Sequence, residues 1–188
     1  MNFEFTKRLS TIKAYRNARD EFSEMVLQDK ALLPEVFAMA VNIDDENHHK
    51  ACWILELIFE VKIEWLQEFL DEFCKTLPKY RDSSAIRTIS KVCLFAVQEN
   101  EKNTSFLDSK HIQVITEACF DWLINPDEKV AAKAYAMRAL YILGKKQDWI
   151  YPELKHILPQ NAGEHTAAYK AAAKYVLQHI TKQENRKG

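Results

Sequence analysis

Apolar side chains recur at three- and four-residue steps along nearly the whole chain, the spacing that places them on one face of an α-helix. Over residues 63–77 the charged residues fill the positions between the apolar ones. Residues 51–59 are apolar almost all round, which predicts a helix packed between neighbours. The pattern predicts successive helices at approximately residues 1–18, 19–29, 34–42, 45–61, 63–77, 82–98, 110–124, 126–143, 152–159 and 164–181.

Helix boundary signals agree with this division. Asp82 is a predicted N-cap, and the run of residues 125–128 combines a cap residue, a first-turn proline and two acids. Gly144 is predicted to end its helix in the left-handed conformation that glycine adopts without strain. The polar stretch 99–109 is the longest predicted loop, and residues 182–188 are predicted to be a frayed polar tail.

Acidic residues open four of the predicted helices at regular intervals. Asp45, Asp82, Asp127 and Glu164 are separated by 37, 45 and 37 residues. Small or apolar residues stand seven and thirteen positions after each of them, as Ala134 and Leu140 do after Asp127. The spacing predicts a helix-pair repeat of about 40 residues. An ordinary helical bundle with chance spacing is the alternative.

The stretch Pro126–Leu140, with its opening proline and acid, its valine and its stripe of small residues ending in Ala139-Leu140, resembles the first helix of a HEAT repeat. The alanine-rich segment 167–177 is similar. The resemblance implies an all-α fold, a right-handed α–α superhelix of about four helix pairs with an N-terminal capping helix. It also implies one domain over residues 1–181. A fold of this kind does not by itself assign a function.

Composition removes several function classes. The chain has 188 residues and three glycines, too few and too scattered for a dinucleotide-binding fingerprint or a phosphate-binding loop. The four cysteines form no C-x-x-C motif and are predicted to be reduced core thiols. No apolar run approaches a membrane span, and the first residues lack the order of a secretory signal. We therefore expect a cytoplasmic protein.

Two E-x-x-H motifs are the candidates for metal binding. Glu46–His49 and Glu153–His156 resemble half-sites of di-iron bundles, but such sites need two more glutamates on long facing helices. No cysteine or serine has the context of an activated nucleophile. We predict no metal site, no cofactor and no catalytic residue, while a site assembled only in three dimensions remains the alternative.

Charge is distributed unevenly along the chain, although the total is only −1. Residues 20–72 contain 14 acids and three bases, whereas residues 129–188 contain 11 bases and four acids. Two predicted partner-binding surfaces follow. The acidic stripe is Glu60, Glu64, Glu68 and Glu72, and the basic patch is Lys129, Lys133, Arg138, Lys145, Lys146, Lys170 and Lys174.

We therefore predict a non-enzymatic interaction module that binds a protein or peptide on a concave charged surface. Self-association through the opposite charges is a further possibility. The alternative function is nucleic-acid binding, since one family of DNA glycosylases for alkylated bases is built from HEAT-like repeats. The chain resembles that family in architecture only, and no catalytic aspartate can be matched.

Overall fold

The computed structural model describes residues 3–160 and 166–186 and is all-α within them. Short 3₁₀ helices lie at Lys30–Leu32, Ile63–Phe69 and Leu77–Lys79. The α-helices are α1 (Phe3–Ser10), α2 (Arg16–Gln28), α3 (Leu33–Val41), α4 (His48–Val61), α5 (Leu70–Thr76), α6 (Ser83–Lys102), α7 (Ser109–Ile124), α8 (Val130–Leu143), α9 (Ile150–Ile157) and α10 (Ala167–Glu184).

The chain divides into two compact units, and the division falls within α6. We call Met1–Phe95 the N-terminal unit and Ala96–Gly188 the C-terminal unit. In the N-terminal unit, α4 packs against α1, α2 and α3. In the C-terminal unit, α8 packs against α7, α9 and α10. The single domain over residues 1–181 stays a prediction.

A central helix forms the core of each unit. Every residue of α4 from Ala51 to Phe59 is buried, which confirms that this apolar segment is packed between neighbours. On α8, buried alanines alternate with the larger Met137 and Leu140. Small residues let neighbouring helices approach closely. Each Å² of apolar surface that is buried between them stabilises the fold by about 25 cal/mol. The helices α4, α6, α8 and α10 correspond to the four predicted repeat starts.

Acidic and hydroxyl side chains cap several helices. The Asp82 carboxylate accepts the backbone N–H groups of Ser84 and Ala85 at 2.9 and 2.8 Å, as predicted for an N-cap. Asp108 and His111 form a reciprocal capping box at the start of α7. Thr166 caps α10, while Glu164 and Gly163 lie outside the described residues.

Helix α8 begins later than the start signal at residues 125–128 predicts. That run forms a turn in which the Asn125 side chain accepts the N–H of Asp127 at 3.1 Å, and α8 starts at Val130. The predicted cap therefore stabilises the turn rather than the helix. Asx side chains commonly bond to the backbone two residues on, which competes with helix capping.

Other predicted boundaries, and one predicted helix type, were also wrong. The first helix stops at Ser10, because the hydroxyls of Ser10 and Thr11 bond to carbonyls of the last turn at 2.8 and 2.7 Å. Residues 63–69 form a 3₁₀ helix rather than the first half of an α-helix. Helix α6 continues to Lys102 and α10 to Glu184, which shortens both the predicted loop and the predicted tail.

Gly144 follows α8 but is not left-handed, contrary to prediction. Its φ of −64° and ψ of −13° are right-handed helical values open to any residue. Glycine is needed there because a Cβ would overlap the ring of Tyr151. The Tyr151 hydroxyl donates to the Tyr141 carbonyl at 3.2 Å, which holds the ring against α8. Close packing, not backbone conformation, selects this glycine.

The four cysteines, Cys52, Cys74, Cys93 and Cys119, are buried and free of disulfides, as predicted for core thiols. Burial raises the pKa of Cys119 to about 12 and also raises that of Cys52. Neither thiol is an activated nucleophile, because activation requires a lowered pKa. Among the described residues, no helix has the length and apolar character needed to cross a bilayer.

Candidate functional site

A buried carboxylate in the N-terminal unit forms ion pairs between α4 and α6. Glu56 lies on α4 with a side chain only 6% exposed, and it accepts from Arg87 and Lys91 of α6 at 3.1 Å each. Lys91 also reaches Glu60 at 3.3 Å. Burial by itself lowers the pKa of Lys91, but the hydrogen bonds and charges of Glu56 and Glu60 outweigh burial and raise it.

The acidic stripe is exposed, and three of its members already have lysine partners within the N-terminal unit. Glu60 pairs with Lys91, Glu64 with Lys62 at 3.6 Å, and Glu68 with Lys30. Glu72 lies exposed on α5.

The four acids do not form the continuous stripe of an α-helix. Glu64 and Glu68 lie on the 3₁₀ helix, where a four-residue step turns by about 120°. The same step on an α-helix turns by about 40°. The two carboxylates therefore point in different directions around the helix axis.

Most of the acidic excess of residues 20–72 is compensated inside the N-terminal unit. Its flanking segments supply bases, so residues 1–95 contain 13 bases and 16 acids. Arg16 pairs with Asp20 at 2.7 Å and Arg8 with Glu21 at 3.4 Å. Residues 96–188 contain 13 bases and 11 acids. The charge difference between the units is smaller than the two sequence windows indicate.

The seven residues of the basic patch occupy different environments. Lys129 is exposed beside the start of α8, and Arg138 lies over the ring of Tyr175 at 5.7 Å. Lys133 is only 7% exposed, so it does not belong to an exposed patch. Burial lowers the pKa of Lys133, and the charges of Glu128 and Asp127 oppose that shift. The other four lysines line two separate grooves.

The larger groove, which we call the α7–α8 groove, has a volume of about 630 Å³. Its walls are the end of α6, the first half of α7 and the segment from the end of α8 to Trp149. Apolar atoms form most of its surface, and Lys145, Lys146, Glu101 and Glu117 add two charges of each sign. The volume lies within the range of pockets that bind ligands.

Trp149 gives the α7–α8 groove an exposed aromatic wall. It is 52% exposed, and its ring stacks on Phe120 of α7 with centroids 5.4 Å apart. Asn100 also lines the groove, and its side chain accepts the N–H of Leu107 at 3.0 Å, which holds the turn before α7. The ring of Trp149 is therefore positioned by its stacking partner before any ligand binds.

The rim charges of the α7–α8 groove are partly neutralised. Lys145 donates to Glu101 at 2.6 Å and also lies 5.3 Å from the centre of the Tyr141 ring. Gln113 donates to Glu117 at 2.9 Å. Lys146, which is exposed, extends the positive side of the rim.

The smaller groove, which we call the α9–α10 groove, has a volume of about 280 Å³. Leu158 and Pro159 at the end of α9 form one wall, and one face of α10 forms the other. Lys170 and Lys174 are the charged side chains that line it. The lining is otherwise almost entirely apolar.

The two E-x-x-H motifs do not converge on a metal site. Among the described residues, no cluster of three or more His, Cys, Asp and Glu side chains could hold a metal ion. The ring of His49 packs edge-on against Trp53 at 5.0 Å, and His48 bonds through Nδ1 to the Asp45 carbonyl at 2.8 Å. Glu153 and His156 are exposed on the short helix α9.

Sequence reasoning missed the Glu56 cluster and the acidic wall of the α7–α8 groove. Glu56 is the lone charge inside the apolar run 51–59, and that pattern is a usable signal for a buried, paired carboxylate. Glu101 and Glu117 carry no such signal, because they lie among ordinary surface positions on two different helices.

Comparison with protein families matches residues 5–183 to a model described as a HEAT repeat domain. Comparison with curated proteins gives no match, and neither does comparison with solved structures.

Proposed function

This chain belongs to the HEAT repeat family, whose repeats commonly mediate protein interactions, and from that premise we propose that it is a non-enzymatic interaction module. Its partner is a protein, and a short segment of that protein binds in the α7–α8 groove. Helix-lined grooves commonly receive apolar side chains of a peptide or helix.

The half-exposed Trp149 beside the groove carries this proposal. An aromatic ring that is already stacked on Phe120 loses little conformational freedom when a partner covers it. Tryptophan is among the residues that contribute most binding energy at protein interfaces. The neighbouring Ile112 and Ile142 offer apolar contact to the same partner residue.

The charges of the groove favour a protein over a nucleic acid. Glu101 and Glu117 line the same groove as Lys145 and Lys146, and Glu101 already neutralises Lys145. A phosphate backbone needs a run of uncompensated cations. A partner segment with residues of both signs suits this rim better.

Two further elements of the proposal concern the setting of the protein. Four buried free thiols are what a reducing compartment maintains, which supports a cytoplasmic location. The acidic stripe and the exposed members of the basic patch are proposed as secondary contacts. Surface ion pairs such as Lys62–Glu64 contribute little stability, so a partner can replace them.

The test is affinity capture from lysate with the full chain and two matched variants. Trp149→Ala removes the groove aromatic, whereas Tyr15→Ala removes an exposed aromatic, 70% exposed, from the N-terminal unit. We expect the wild type and Tyr15→Ala to retain the same proteins in quantitative mass spectrometry, and Trp149→Ala to lose them.

If Trp149→Ala retains the same proteins as the wild type, the α7–α8 groove is not the binding site. A filter-binding assay at low salt with duplex and single-stranded DNA tests the alternative function. We expect no retention of either nucleic acid.

A further inference from the structure

We propose that the α9–α10 groove is a second docking surface, which binds an acidic amphipathic helix of a partner protein. The inference deepens the proposed function on which it rests, since Lys170 and Lys174 are among the secondary contacts, but none of the residues that line this groove lines the α7–α8 groove.

The groove follows one face of α10. Its lining positions on that helix are adjacent pairs that recur every four residues, beginning at Tyr169 and ending at Gln178. At 1.5 Å per residue this face extends for about 14 Å, about two and a half turns of a helix. A second helix laid alongside would contact α10 over that length.

Apolar side chains of α10 and of the residues after α9 line the groove. Leu158, Tyr169 and Ala173 are buried there, whereas Leu177 is half-buried and Pro159 is exposed. The apolar surface of Leu177 and Pro159 is therefore accessible to a partner.

The charged side chains beside the α9–α10 groove indicate which kind of partner segment binds there. Lys170 and Lys174 are both exposed, and neither forms an ion pair within residues 3–160 and 166–186. Three other lysines of the C-terminal unit pair with glutamates, namely Lys102, Lys145 and Lys155, the last with Glu184 at 2.6 Å. Two uncompensated cations beside an apolar floor complement a ligand that carries carboxylates next to an apolar side chain.

The spacing of the two lysines favours a helical occupant. Side chains four residues apart lie about 5–6 Å apart on one face of a helix. Glutamates four residues apart on a second helix have the same separation, so each carboxylate meets one ammonium group. A leucine or phenylalanine between them fits a groove of about 280 Å³.

A single-stranded nucleic acid suits the groove less well. Two cations neutralise few phosphates, and tight binding to nucleic acid normally requires more.

The test uses a fluorescein-labelled peptide of about 16 residues, long enough to form helix. It carries leucines at three- and four-residue steps and glutamates four residues apart. A control peptide has glutamine in place of every glutamate. Fluorescence anisotropy with the full chain measures both affinities at low and high salt.

Two protein variants with the same charge change locate the site. Lys170→Glu/Lys174→Glu reverses the groove charges, and Lys110→Glu/Lys182→Glu reverses two exposed lysines that do not line the groove. All four side chains are exposed, so both variants are expected to fold, and thermal unfolding checks this. Trp149→Ala is expected to bind the peptide as the wild type does.

We expect the glutamate peptide to bind and the groove variant to weaken it by about tenfold or more, since two attractive pairs become repulsive. The control variant should stay within about twofold, and raised salt should weaken binding.

The proposal is overturned if the glutamate peptide does not bind or if the glutamine peptide binds equally well. Equal weakening by both protein variants also overturns it. Displacement of the peptide by single-stranded DNA would assign the groove to nucleic acid instead. Self-association of the free protein that only the groove variant abolishes, measured by sedimentation, would assign it to a second copy of the chain.

Discussion

The two units handle buried charge in opposite ways. In the N-terminal unit, α4 buries the acid Glu56 and two cations of α6 pair with it. In the C-terminal unit, α8 buries the base Lys133, which has no ion pair within the described residues. The cations of α6 offset the cost of burying Glu56, whereas the burial of Lys133 is not fully offset and its pKa is lowered.

The difference extends to the surfaces of the units. Acids of the N-terminal unit at positions 21, 60, 64 and 68 already pair with its own bases. In the C-terminal unit, Lys170 and Lys174 lie beside an apolar groove and form no ion pair with any residue that the structure describes, and Trp149 is exposed at another groove. Exposed ion pairs contribute about 1 kcal/mol or less each, whereas charges beside an apolar groove are open to a partner. We propose that partner binding is concentrated in the C-terminal unit.

Breaking the Glu56 cluster is the strongest test of this comparison. Glu56→Ala leaves Arg87 and Lys91 without their shared partner, and we expect a loss of about 3 kcal/mol in the free energy of unfolding. Urea denaturation measures it. Glu60→Ala is the control, because Glu60 is 43% exposed and its pair with Lys91 contributes about 1 kcal/mol or less. Equal losses for the two variants would contradict the central role of Glu56.

Gly144 tests the close packing of the C-terminal unit. Gly144→Ala places a methyl group against the Tyr151 ring, and we expect a loss of about 2 kcal/mol from overpacking. In a Tyr151→Leu background the clash is relieved.

Because the φ of Gly144 suits alanine, the same Gly144→Ala change should then become neutral or stabilising by about 0.5 kcal/mol. Thermal or urea unfolding of the four proteins gives the double-mutant cycle. A loss that is unchanged in the Tyr151→Leu background would mean that the backbone, not the ring, requires glycine.

Lys133 tests whether a buried base limits the stability of the C-terminal unit. Lys133→Met keeps the shape of the side chain and removes the charge, so we expect a gain of about 1 kcal/mol at neutral pH. The exposed Lys129→Met should change stability by less than about 0.5 kcal/mol.

The gain in stability expected for Lys133→Met depends on pH. The pKa of Lys133 lies below the ordinary value of 10.5 in the folded state, so the unfolded chain holds the proton more tightly. Wild-type stability therefore rises as the pH increases toward 10.5, and the advantage of Lys133→Met should shrink over that range. An advantage that grows with pH would contradict the assignment.

The smallest expected effect concerns the rim of the α7–α8 groove. The Lys145–Glu101 pair is about one-third exposed on both sides, and a double-mutant cycle should give a coupling of about 0.5 kcal/mol. Raising the salt concentration should reduce the coupling further. A coupling as large as that of the Glu56 cluster would remove the contrast between the two units.

Helical periodicity and the repeat were readable from the sequence because both depend on local spacing. The apolar faces of α4, α7 and α10 and the cap at Asp82 follow from side chains within one or two turns of each other. The 3₁₀ helix over Ile63–Phe69 was not readable, since its apolar spacing also fits an α-helix. Packing decides between the two.

The candidate site could also be predicted from the sequence only in part. The sequence indicated the lysines of the basic patch by their charge. It did not indicate that Lys133 is buried, that Lys145 is neutralised by Glu101 from 44 positions earlier, or that Lys170 and Lys174 line a separate groove. Neighbours so distant in sequence leave no local pattern.

By itself the sequence determined the all-α class, the order of the helices and the family, because hydrophobic spacing acts through short-range geometry. Only the tertiary structure decided which charges are satisfied, which glycine is required by a neighbouring ring, and where apolar surface stays open. Those properties depend on contacts between helices, and burial changes the free energy of a charge far more than its position in the sequence does.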